Sequence, residues 1–68
     1  MDVKPIASFD SSFWINAHRI GLIDAVVADF DLRCAPAVAA ELDPRYPSGR
    51  EFYRQRQQGA IVEVARVY

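Results

Sequence analysis

At Phe9-Asp10-Ser11-Ser12 an apolar run stops on an acid and gives way to residues that start helices. Ile6, Ala7 and Phe9 read as the end of a short buried strand. Ser11 and Ser12 read as helix caps, since a hydroxyl oxygen accepts the orphan N–H groups of a first turn. An acid at the carboxyl end of a strand, facing a helix N-terminus, lies where open α/β sheets hold their ligands. The rest of the chain is therefore searched for groups that join Asp10 there.

Hydrophobic periodicity sets the order of elements. Ile6 to Asp10 is the first strand, with Pro5 before it as suits a strand start. Ser12 opens a helix whose apolar face is Phe13, Trp14, Ala17 and Ile20, and Gly21 stops it. Leu22 to Phe30 continues the period as a second helix, with Asp24 in its dipole-favoured first turn. Leu32 to Ala35 is a second strand. Pro36 begins a third helix, Val38 and Leu42 face inward, and Pro44 ends it by restricting Asp43. Tyr46-Pro47-Ser48-Gly49 reads as a loop, Arg50 to Gln58 as a fourth helix, Gly59 as its stop, and Ile61 to Val67 as a third strand. The resulting β-α-α-β-α-α-β order argues for an α/β fold with a parallel sheet and crossover helices.

Composition removes several classes of protein. At 68 residues the chain is one small domain, and its single cysteine, Cys34, excludes an internal disulfide and a Cys/His zinc cluster. A net charge of −1 and an apolar fraction of 51% fit neither a disordered chain nor a general polyanion binder. No stretch is apolar for long enough to span a membrane, and the start has no signal-peptide character, so a cytoplasmic protein with no membrane partner is expected. A parallel sheet is normally covered on both faces. Three strands with four short helices hardly cover two, so residues 1–68 read as the amino-terminal portion of a larger domain.

Two acids fall together in this scheme. Asp10 ends the first strand, and Glu41 lies just over one turn into the helix after the second, so both emerge at the carboxyl edge of a right-handed parallel sheet. Paired carboxylates suit a hard cation such as Mg²⁺ or Mn²⁺, which binds oxygen and keeps several waters. The plainer alternative is that Asp10 caps a helix and Glu41 is solvated. Ser11, Ser12 and Asn16 are candidate supporting residues, whereas His18, at the margin of the apolar face, reads as a boundary residue. From Pro44 to Gly59 the charged residues are Arg45, Arg50, Arg54 and Arg56 against Glu51. Arg45, Arg50 and Arg54 are candidate contacts to nucleic-acid phosphates, with Tyr46 and Tyr53 as stacking groups; an ordinary solvated helix face is the alternative.

Several segments resemble one family. Phe9-Asp10-Ser11-Ser12-Phe13-Trp14-Ile15-Asn16-Ala17-His18 looks like the opening of PIN-like (PilT N-terminus) domains, and Gly21-Leu22-Ile23-Asp24 with Phe30 resembles their second helix. Ala35-Pro36-Ala37-Val38-Ala39-Ala40-Glu41-Leu42 is similar to their Pro-x-Val-x-x-Glu-Leu segment. Gly59-Ala60-Ile61-Val62-Glu63-Val64 looks like the strand that follows. The resemblance implies a three-layer α/β/α fold with parallel strands ordered 3-2-1-4-5, present here only in part. It implies a Mg- or Mn-dependent endoribonuclease, often the toxin of a toxin–antitoxin pair, that hydrolyses RNA with a metal-activated water. Asp10 and Glu41 would be its catalytic, metal-holding acids, assisted by Ser11 or Ser12, and an antitoxin would be a protein partner.

The family's remaining acids follow the third strand, beyond Tyr68. The first strand should then form a sheet edge, one sheet face should lack helices, and the ligand crevice should lack a wall. Weak metal binding and little or no cleavage are expected of residues 1–68 alone. The competing reading is a non-catalytic interaction module, or the product of a decayed gene, that pairs through the exposed edge with a partner or, as a homodimer, with a second copy.

Overall fold

The computed structural model describes residues 3–64. In chain order its elements are β1 (Ile6–Ser8), α1 (Ser11–Arg19), α2 (Ile23–Asp29), β2 (Asp31–Cys34), α3 (Pro36–Glu41), α4 (Pro47–Gln57) and β3 (Ile61–Glu63). The sheet runs β1-β2-β3 with both pairings parallel, so β2 is central and β1 lies at an edge. The register sets Ala7 beside Leu32 and Leu32 beside Ile61, and it sets Ser8 beside Arg33 and Arg33 beside Val62.

Because side chains alternate along a strand, that register sorts the two faces. Leu32, Cys34 and Ile61 are buried in one cluster with the helical Trp14, Val38 and Phe52. The opposite face carries exposed Ile6 and Val62 and the Asp31–Arg33 ion pair at 2.9 Å. Among the described residues the chain thus forms two layers, helices on one face of a parallel sheet. The second helical layer that the family resemblance implies is not among them.

The core is aromatic at its centre. Trp14 and Phe52 are fully buried, their rings 5.8 Å apart and nearly perpendicular, and Phe9 lies 5.5 Å from Trp14. Edge-on pairs of this kind add about 0.5–1.5 kcal/mol each beyond burial. The Trp14 indole N–H donates to the Ser48 carbonyl at 2.8 Å, which ties α1 to the start of α4 and satisfies a buried donor.

Several boundaries differ from the sequence expectation, each for a local reason. β1 stops at Ser8 rather than Asp10, and α1 begins at Ser11 with Asp10 as its cap. The capping oxygen is therefore the Asp10 carboxylate, not a serine hydroxyl. The segment Pro47-Ser48-Gly49 is the first turn of α4 rather than a loop. Proline suits this position because its missing N–H would be unpaired anyway. Gly49 is required there by space: a Cβ would sit 1.9 Å from the Asp43 carbonyl oxygen. Helix α3 ends at Glu41, three residues ahead of Pro44.

The two expected glycine stops are present. Gly21 and Gly59 adopt φ of 75° and 85°, and the residues after them donate back to Ala17 and Gln55 at 2.9 and 3.0 Å. These are left-handed caps that satisfy the last carbonyls of α1 and α4. β3 spans Ile61–Glu63; its expected continuation over residues 65–67 lies outside the described residues.

Candidate active site at the carboxyl edge of the sheet

The carboxyl ends of β1 and β2 each lead directly into a helix, and that is what places the two acids. Asp10 follows β1 by two residues in extended conformation (φ −103°, ψ 173°), and its Oδ1 accepts the Phe13 N–H at 2.8 Å. The capping role is thus real, and it leaves Oδ2 outside that bond. Glu41 is the last residue of α3, the helix that leaves β2. Both side chains are exposed.

Ser11 connects them. Its Oγ donates to Glu41 Oε2 at 3.4 Å, a long and weak hydrogen bond that brings the end of α3 to the first turn of α1. The geometry therefore collects Asp10, Ser11 and Glu41 at one end of the sheet. Ser12 and Asn16 are exposed on α1 and, among the described residues, neither hydrogen-bonds to these acids. Among the described residues no group of three or more His, Cys, Asp or Glu side chains gathers as a metal cage would require. The donor set at this edge is two carboxylates and a hydroxyl, all oxygen, which fits a hard cation that retains water.

The arginine-rich segment is less cationic than its composition suggests. Arg45 donates to Asp43 Oδ2 from Nε and Nη2 at 2.9 and 2.7 Å, and Arg54 holds Glu51 through Nη2 at 2.5 Å. Arg56 pairs with Glu63 at 2.7 Å and lies 5.0 Å from the centre of the Tyr53 ring. The Arg50 guanidinium donates to the Arg45 carbonyl at 3.2 Å and has no carboxylate partner among the described residues. These guanidinium groups hold the Asp43 and Glu51 carboxyls below the usual carboxylate range, as Arg33 does for Asp31. Tyr53 is committed as well: its hydroxyl donates to the Ala39 carbonyl at 2.8 Å and its ring packs on Phe52. Tyr46 is 63% exposed and remains available to stack.

Two open clefts flank the acids. One, of about 650 Å³, follows the free edge of β1 and is lined by Ala7, Phe9, Phe13, Val26, Phe30 and Leu32, with Asp10 at its margin. The other, of about 530 Å³, lies between α1 and the α3–α4 connection, with Glu41 on its wall. It brings in Ile15, His18 and Arg19, which sequence reasoning did not place at a site. Their i, i+3, i+4 spacing on α1 was the available signal. The lone thiol, Cys34, is fully buried on β2, and burial, with Glu63 second, pushes its pKa up, so it is a packing residue here.

Among the described residues no helix is long and apolar enough to cross a membrane. No family model, curated protein or solved structure matches the chain.

Proposed function

We propose that residues 1–68 are the amino-terminal portion of a PIN-like domain, and that Asp10 and Glu41 are metal-holding acids of an endoribonuclease, of the toxin type that an antitoxin protein restrains. The observation that carries the reading is the Ser11–Glu41 contact beside the Asp10 cap, which collects two carboxylates at the carboxyl edge of a parallel sheet. The edge position of β1 and the sheet face that carries no helix among the described residues agree with a larger fold of which this is a part. The same reading puts the protein in the cytoplasm, with RNA as substrate.

Mg²⁺ or Mn²⁺ fits this oxygen donor set, and when bound it supplies charge neutralisation and water acidification to phosphodiester hydrolysis. The chain's own residues do the positioning. The Phe13 N–H fixes the Asp10 carboxylate by one oxygen, and Ser11 steadies the Glu41 carboxylate. Among the described residues this edge offers two acids, so weak binding is expected of residues 1–68 alone.

Mn²⁺ titration followed by NMR tests this. Paramagnetic broadening is expected to begin at Asp10, Ser11 and Glu41 and to disappear from all three in Asp10→Asn. Broadening that starts at the Asp24 or Asp29 signals, or that survives Asp10→Asn, removes the proposal.

A second reading is favoured by the apolar cleft along β1. An open strand edge beside Phe13 and Phe30, which are 45% and 38% exposed, is the surface of an interaction module that accepts a strand from a partner or a second copy.

A further inference from the structure

We infer that the cleft between α1 and the α3–α4 connection is a nucleotide subsite for single-stranded RNA, in which a base stacks on Tyr46 while Arg19 meets the adjoining phosphate. The inference rests on the ribonuclease reading for its ligand class, and on separate geometry for its place. The cleft shares Glu41 with the acid pair, so an RNA strand whose phosphate reaches Asp10 and Glu41 runs directly into it. Its volume, about 530 Å³, is within the range of small-molecule sites.

The lining suits a base and its phosphate. Ile15, Leu42 and Pro47 give an apolar surface, as a nucleobase face requires. Tyr46 stands exposed at the start of α4, its backbone N–H bonded to the Asp43 carbonyl at 3.1 Å, so its ring is presented from a fixed main chain. Arg19 is exposed in the last turn of α1 and has no ion-pair partner among the described residues, whereas Arg45, Arg54 and Arg56 each have one. An arginine without a carboxylate partner has its donors free for a phosphate. His18, half-buried beside it, adds a ring donor. Within the cleft the arginine without a carboxylate partner is therefore Arg19 on α1; Asp43, also on the wall, is held by Arg45, and the unpaired Arg50 of α4 is not part of the lining.

Fluorescence anisotropy of a short labelled RNA of mixed sequence, with the full chain in EDTA, tests the subsite without metal or cleavage. Tyr46→Ala is expected to weaken binding on the order of ten-fold, while Tyr46→Phe retains it because the ring face does the stacking. Arg19→Ala is expected to weaken binding and flatten its salt dependence, and Gln57→Ala, on an exposed position away from the cleft, leaves both unchanged. Circular dichroism melts of Tyr46→Ala and wild type should coincide. Equal affinity for wild type and Tyr46→Ala, or no RNA binding by wild type, overturns the subsite. So does a Tyr46→Ala effect on self-association without one on RNA, which reassigns the cleft to a protein contact. Failure of the Mn²⁺ experiment with a Tyr46-dependent RNA affinity intact removes the nuclease and leaves the subsite.

Discussion

Replacing Gly49 with alanine sets two effects of opposite sign against each other. Gly49 is the third residue of α4, and in a helix interior alanine is favoured over glycine by about 1 kcal/mol. The new Cβ, however, would lie 1.9 Å from the Asp43 carbonyl oxygen and 2.4 Å from its carbon, both main-chain atoms that no rotamer change can move aside. The start of α4 must then back away from the α3–α4 connection by more than an ångström. That movement strains the bond from the buried Trp14 indole to Ser48, the residue next to Gly49. Overpacking of this kind costs about 1–3 kcal/mol, and leaving a buried donor unpaired about 1–3 kcal/mol more. Less the helix gain of about 1 kcal/mol, the net loss is about 1–5 kcal/mol, or a fall in Tm of roughly 5 °C or more for a domain this size. Thermal and urea unfolding followed by circular dichroism measure it, with Trp14 fluorescence reporting the indole. A Gly49→Ala protein as stable as wild type, with unchanged tryptophan emission, would refute the close approach of α4 to Asp43.

The Asp10 cap predicts that Asp10→Ala lowers stability by about 1 kcal/mol while Asp10→Asn, which still accepts the Phe13 N–H, changes it little; urea midpoints of the three proteins check this, and equal losses would contradict it. Acid should destabilise the fold through Asp31, Asp43 and Glu51, whose carboxyls are held down by Arg33, Arg45 and Arg54. Each is more acidic folded than unfolded, so the unfolded chain binds more protons and stability falls with pH. The urea midpoint should be level above the ordinary carboxylate range, about pH 4, and drop below it; Arg54→Gln should remove the Glu51 share, and a midpoint unmoved by acid would contradict the pairing.

Element order was legible because it follows from local periodicity: the apolar spacing of α1 and the β-branched run at Ile61 need no tertiary information. The start of α4 was not, because Pro47 and Gly49 carry two meanings. Both residues punctuate loops, yet here proline fills a helix first turn and glycine admits a neighbouring main chain. Only the position of Asp43 in space decides between them. The cap went to Asp10 rather than to a serine because the strand ends two residues early, and strand ends are set by pairing with β2. The arginine surplus shrank to Arg50 for a simpler reason. Counting from Pro44 to Gly59 excluded Asp43 on one side and Glu63 on the other, and those are the partners of Arg45 and Arg56. The spacing of Ile15, His18 and Arg19 puts them on one face of α1, but the cleft itself was not legible because it needs α1 to lie against the α3–α4 connection, a non-local contact.

The helix-cap and cation-ligand accounts of Asp10, set as alternatives by the sequence, are compatible in the structure. A carboxylate has two oxygens, and the cap engages Oδ1 alone. The two roles do compete electrostatically, since the N-terminus of α1 already places partial positive charge beside the carboxylate, and a cation arriving there is repelled by it. Glu41, at the last residue of α3, adds its charge beside the carbonyl end of that helix, where partial negative charge gathers. On the proposed reading a cation would neutralise Glu41 while Asp10 keeps its cap through Oδ1. Substituting Glu41→Gln should for that reason relieve α3 slightly in the absence of metal while weakening Mn²⁺ binding, a pairing of effects that a merely solvated Glu41 would not show.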